Sequence, residues 1–107
     1  MGAPTNLRDL GRFSEPALLI LVSLAGGPKH GYAMIEDIES VYGVRLGPGT
    51  LYGALARLVE RGLIESVASD DRRRPYRLTR TGRSALKDQL GTLGEFVALG
   101  MARLRPA

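Results

Sequence analysis

This sequence predicts a mainly α fold with one small β-hairpin, and three observations carry that prediction. Apolar residues recur at helical spacing in four separate stretches, and two short runs flank a polar tip. Glycine and proline stand at the junctions between them. The chain of 107 residues fits one domain. A domain of this size leaves much of its surface exposed and gains from oligomerisation.

Residues 1–13 mix Gly, Pro, Asn and charge, and read as a flexible N-terminal arm. Ser14 can cap a first helix with Pro16 in its first turn, where a missing N–H costs little. Gly26-Gly27-Pro28 ends that helix after Leu24 or Ala25. Leu18, Leu19, Ile20, Leu21, Val22 and Leu24 surround it almost completely, so it must be buried on more than one side. In so small a domain the second side is expected to be a partner subunit.

A second helix is predicted over Gly31–Val41, with Ile35, Ile38 and Tyr42 inward and Glu36, Asp37 and Glu39 outward. Gly43 is its stop. Gly47-Pro48-Gly49 opens a third helix reaching about Arg61, with Gly62 just past its end. Its inward stripe is Leu51, Leu55, Leu58 and Val59. Leu63–Ala68 and Arg74–Thr79 read as strands, with Tyr76 and Leu78 on one face, and Thr79 caps a last helix from Arg80 to about Arg103. That order is the outline of a winged helix-turn-helix, over residues 14–79, with a C-terminal dimerisation helix over 80–107. No internal repeat is present.

The third helix has an unusual outer face. Opposite its leucines, at ~100° per residue, stand Gly49, Thr50, Gly53, Ala56, Arg57 and Glu60. An unpartnered surface helix normally carries Lys, Glu or Gln there, and Gly53 in mid-helix costs ~1 kcal/mol relative to alanine. A face kept small, with Thr50 and Arg57 on it, suits close backbone approach to a DNA groove. Tyr52 lies at the border: its ring can finish the core, or its hydroxyl can reach a phosphate. Periodicity leaves both open.

The formal charge of +4 is concentrated. Between Asp70 and Arg83 lie six arginines and two aspartates, a net charge equal to that of the whole chain. An isolated charge run is usually a solvated face. A basic hairpin beside a helix pair is instead the footprint of a phosphate-contacting element.

Other chemistries find little support. With no cysteine there is no thiol nucleophile, disulfide or thiolate metal site, and His30 is the only histidine, so no metal and no cofactor is expected. Gly47-Pro48-Gly49-Thr50 lacks the Gly-Lys-Ser/Thr ending of a phosphate-binding P-loop. Glu36, Asp37 and Glu39 have no His or Ser arranged around them, and Asp70 and Asp71 sit on a hairpin tip too exposed for a general acid. An enzyme is therefore not expected. A winged helix that binds protein remains the rival, but it has no need of an arginine-rich wing. The most apolar run, Ala17–Leu24, is far short of the ~20 residues of a membrane helix. No leader pattern opens the chain, so a cytoplasmic protein away from membranes is expected.

The combination His30-Gly31-Tyr32, Gly49-Thr50-Leu51-Tyr52, Ala54-Leu55, Arg57-Leu58 and Gly62-Leu63-Ile64, followed by Tyr76, Leu78-Thr79 and Gly82, resembles the PadR family of transcriptional regulators. The likeness runs from about Ser14 to Leu86 in the family's order and spacing. It implies a homodimer on double-stranded operator DNA, with third helices in successive major grooves and wings along the backbone or minor groove. Carried over by position, Tyr32, Thr50 and Tyr52 are expected contacts, and the basic wing is matched by Arg72, Arg73 and Arg74. With Arg57 and Lys29 these form the expected DNA-binding set. Gly47 departs from the serine frequent in the family and loses a hydroxyl cap, at a few tenths of a kcal/mol. His30, in the turn before a helix, is expected to be structural or a backbone contact.

Leu86, Leu90, Leu93, Val97, Gly100 and Leu104 step by four and three along the last helix, a heptad seam widened by Phe96 and Met101. A winged-helix domain already has its core, so the seam is expected to meet a second copy. In the family's short members this helix packs on the partner's first helix, which implicates Leu18 and Leu21 beside Leu86, Leu90, Leu93, Phe96, Val97 and Leu104. Such regulators often take a small ligand at the dimer interface. A ligand-responsive repressor with a small hydrophobic effector is the expectation; with no tryptophan to stack on it, Phe96 and Met101 are the evident candidates, but packing is the first job expected of both.

Overall fold

The computed structural model describes residues 15–69 and 72–106. The arm expected over residues 1–13, the Ser14 cap and the Asp70-Asp71 tip lie outside the described residues. The elements are α1 (Pro16–Ala25), α2 (Gly31–Tyr42), α3 (Pro48–Glu60), β1 (Ile64–Ser66), β2 (Tyr76–Leu78) and α4 (Arg80–Leu104). They follow the expected order, in a winged-helix arrangement.

Local chemistry explains the ends. Pro16 occupies the first turn of α1. Gly43 and Gly62 stop α2 and α3 with left-handed φ of 74° and 73°, a region that costs most side chains strain. The strands are three residues each, shorter than expected, and pair antiparallel as Ile64 with Leu78, Glu65 with Arg77 and Ser66 with Tyr76. Val67 still donates to the Pro75 carbonyl at 2.8 Å, but Pro75 has no N–H with which to extend the ladder.

The all-apolar α1 is explained within one chain, because α2, α3, α4 and β2 all pack against it. Neighbours in the same chain thus cover much of α1, while Leu18 and Val22 keep apolar surface open to the clefts on either side. Leu19, Ile20, Leu21 and Leu24 are buried, and of that apolar run only Val22 is exposed. From α2 come Met34, Ile35 and Ile38, and from α3 come Leu51, Ala54, Leu55 and Leu58. Val59, expected inward, is exposed and Ala54 is buried in its stead. The buried stripe centres near Leu51, which leaves Val59 about 90° away at ~100° per residue.

The first turns of α4 belong to this core. Thr79 caps the helix, its Oγ1 accepting from the Gly82 N–H at 2.9 Å and donating to the Gly62 carbonyl at 2.6 Å. Gly82 lies so close to the Leu63 carbonyl that a Cβ there would overlap the oxygen. One turn on, Leu86 is 4% exposed. Leu86 is therefore a core residue, and so is Leu21 at 8% exposure, which leaves each of them little surface to offer a dimer seam. Both lie on the floor of a cleft of about 290 Å³ between α1 and α4, with Leu18 and Leu93 on its walls. Beyond Leu86 no α4 residue is buried, and the helix lengthens the molecule to 59 × 32 × 20 Å.

Candidate nucleic-acid interface

The outer face of α3 is where periodicity places it. Gly49, Thr50, Gly53, Ala56, Arg57 and Glu60 are all exposed. A Cβ built on Gly53 would have one neighbour within 4 Å, the Arg57 Nη1 at 3.9 Å, so the helix has free space in front of its backbone. No side chain caps the α3 N-terminus, in keeping with a glycine at position 47.

Tyr52 resolves into a residue with two environments. Its phenol lies against the start of α2: a Cβ on Gly31 would stand 2.5 Å from its Oη and 2.8 Å from its Cζ. Glycine between His30 and Tyr32 is thus the space the tyrosine occupies. Yet Tyr52 remains half exposed, and its open side faces a recess of about 370 Å³. His30, Gly31, Tyr32, Tyr52, Tyr76 and the arginines 72, 73 and 74 line that recess. The fold thereby brings three of the expected elements together: the first turn of α2, the border of α3 and the basic wing. Thr50 and Arg57 stand on the other flank of the exposed α3 face, ~140–160° around the helix from Tyr52.

Three polar residues at this corner find partners within the chain. His30 caps α2, its Nδ1 accepting from the Ala33 N–H at 3.3 Å, which accounts for its structural place in the turn. Lys29, expected at DNA, turns its ammonium inward, donating to the Ser23 carbonyl at 2.6 Å and to the Gly27 carbonyl at 3.4 Å. The Ser23 carbonyl lies in the last turn of α1, where a helix presents partial negative charge and attracts a cation, and Gly27 follows just past its end. Asp37, expected outward, instead accepts from the buried Ser23 hydroxyl at 2.6 Å.

One basic residue escaped the sequence reading. Arg45, in the turn between α2 and α3, places its Nη1 2.7 Å from the Glu39 Oε1. The hydrogen bond to Glu39, then the Glu39 charge, then a hydrogen bond with Tyr32 hold its guanidinium still more firmly protonated. Its neighbour Tyr32 lines the recess, so Arg45 extends the basic surface past α2. A lone arginine in a turn carries no periodic signal that would have singled it out.

Residues 20–88 match the family of PadR-like transcriptional regulators. The chain belongs to that family. Among PadR-like and other regulators it is similar to the transcriptional regulator Rv3488 of Mycobacterium tuberculosis, 40% identical over 81 residues, which cover 73% of this chain and 75% of that protein. It is 49% identical over 76 residues to an uncharacterized 37.1 kDa protein in transposon TN4556 of Streptomyces fradiae, covering 71% of this chain and 22% of that protein. It also matches the transcriptional activator GvpE2 of Halobacterium salinarum, of which it spans 35%. The chain thus spans well under half the length of these last two relatives. Among solved structures, RosR of H. salinarum superposes with a TM-score of 0.69 at 35% identity, over 87% of this chain and 83% of that one. A PadR-like regulator of Bacillus cereus shares the fold at a TM-score of 0.76 and 18% identity, over 94% and 97% of the two chains.

A second, apolar surface of this PadR-like chain lies apart from the recess. A cavity of about 620 Å³ opens between α1, α2 and α4, with Leu18, Val22, Val41 and Leu90 among its walls. Phe96 and Met101 do not line it and project from the far part of α4 at 70% and 63% exposure. Leu90, Val97 and Leu104 are exposed as well, Leu99 joins them, and Leu93 is half-buried. Among the described residues no group of three metal-ligating side chains occurs, and no helix is long and apolar enough to cross a membrane.

Proposed function

We propose that this chain is a homodimeric, sequence-specific DNA-binding regulator of transcription, acting as a ligand-responsive repressor. The observation that carries the reading is the recess in which Tyr32, Tyr52, Arg72, Arg73 and Arg74 converge beside the bare outer face of α3. In this docking α3 enters the major groove, where Thr50 and Arg57 meet base edges and small Gly49, Gly53 and Ala56 permit close approach. The wing arginines and the two tyrosine hydroxyls hold phosphates and set the register.

The dimer reading rests on the distal half of α4. Leaving Phe96, Val97 and Leu104 wet forgoes ~1.5–3 kcal/mol for each large apolar side chain, and a second copy supplies the same stripe. Two copies would also supply two α3 helices for paired half-sites. The cavity between α1, α2 and α4 is the natural place for a small hydrophobic effector. Repression is the direction proposed, although the relative GvpE2 is named an activator.

Selection of bound duplexes from a random pool tests the reading. A paired motif is expected, with half-sites about one helical turn or a multiple apart, and Thr50→Ala should weaken binding to it by ~1–3 kcal/mol. Recovery of no motif would exclude sequence-specific recognition. A reporter gene placed behind the selected site then reads the direction of control.

A further inference from the structure

Lys29 is built into two parts of the molecule at once. Its backbone joins the wing: the Lys29 N–H donates to the Tyr76 carbonyl at 3.1 Å and its carbonyl accepts from the Tyr76 N–H at 2.8 Å. The segment before α2 is thus a one-residue third strand on the outer edge of β2. Its ammonium meanwhile closes the end of α1 through the Ser23 and Gly27 carbonyls. Ser23 is held in turn by Asp37 on α2, through a 2.6 Å hydrogen bond from a hydroxyl only 5% exposed as a residue.

The wing needs such an anchor. Its two strands have three residues each, and an isolated two-stranded ribbon of that length is not stable in water. The Glu65–Arg77 pair across it is exposed and adds little. Tyr76 and Leu78 pack on the core from one side only, and the arginines 72 to 74 lie beyond the strand ends. The double hydrogen bond to Lys29 ties the arginine end of β2 to the segment before α2, one residue from Pro75.

We propose that Lys29 is a positioning residue for DNA binding, an anchor that fixes the wing arginines against α2 and α3 without itself touching DNA. The proposal rests on the DNA-binding reading above. It has a second consequence, because Lys29, Ser23 and Asp37 also line the cavity between α1, α2 and α4. Whatever fills that cavity touches the anchor of the wing.

Salt dependence separates positioning from contact. Each phosphate contact contributes ~0.9 to the slope of log K against log salt concentration. Affinity for a random-sequence duplex would be measured across a salt series for the native chain, Lys29→Met, the triple Arg72→Ala/Arg73→Ala/Arg74→Ala, and the four changes together. Lys29→Met keeps the backbone pairing and the stem length and removes the ammonium; Lys29→Gln repeats the test should the first variant fold poorly, and Lys29→Arg should restore binding. The expected result is a slope loss in Lys29→Met greater than one contact can supply, approaching that of the triple variant, with no further loss when all four are combined.

A loss of ~0.9 that persists in the wingless background would make Lys29 a direct phosphate contact and overturn the proposal. An unchanged slope with a lowered melting temperature would make it a purely structural residue, with the same effect. A triple variant that binds as the native chain does would remove the wing from DNA, which sinks the underlying reading and not only this one.

Discussion

The Tyr52 phenol occupies the place where Gly31 would carry a side chain, 2.5 Å from an ideal Cβ to the Oη. This contact joins α3 to the first turn of α2, and it positions the ring at the recess that the wing arginines share. Glycine in the first helical turn is a poor helix former. Its presence there is explained by the ring it accommodates.

Gly31→Ala should therefore destabilise the domain by ~1–3 kcal/mol, the usual cost of overpacking. In a Tyr52→Phe background, where the nearest atom is gone, the cost should shrink. Chemical denaturation of the four variants of the cycle checks this. Equal costs in both backgrounds would mean that the ring moves aside freely.

Thr79 joins the turn after α3 to the start of α4 through a single oxygen, accepting from Gly82 and donating to the Gly62 carbonyl. Thr79→Ala removes a helix cap and should cost ~0.5–2 kcal/mol. Thr79→Ser keeps the oxygen and should recover most of it. Thermal melts followed by circular dichroism would show both.

Arg45 is shared between Glu39 and the surface proposed for DNA. On the proposed docking, Glu39→Gln releases the guanidinium and should tighten binding to a random-sequence duplex. Arg45→Gln should lower the salt slope by ~0.9. If Glu39→Gln binds no tighter, the pair is a surface ion pair and nothing more.

Val97→Asp combined with Leu104→Asp changes residues that the fold of one chain leaves exposed. Monomers in light scattering are expected, with the native helical content retained. Dimers that persist would place the interface on the α1–α4 cleft instead. Leu86 and Leu21 are unsuitable for this test, since charging a core residue unfolds the domain.

The elements and their order were legible because each is written locally. Leu51, Leu55 and Leu58 recur at helical spacing, Thr79 stands before α4, and Gly43 and Gly62 end their helices with positive φ. The outer face of α3 was legible for the same reason, as a helix has one geometry and its exposed side follows from its buried one. Tyr52 was not, because a residue on the border of two faces is assigned by what packs beside it. That neighbour, Gly31, stands 21 positions earlier in the chain.

Periodicity and capping in the sequence determined that this is a helical domain with a basic hairpin and a long apolar-striped last helix. Its motifs resemble those of the PadR family, and the match over residues 20–88 shows membership. Only the tertiary structure decided that α1 packs against four elements of its own chain, that Leu21 and Leu86 are core, and that the Lys29 ammonium faces α1. Each of those depends on which element lies opposite. Burial is a property of two surfaces in contact, and a pattern along one strand of sequence describes only one of them.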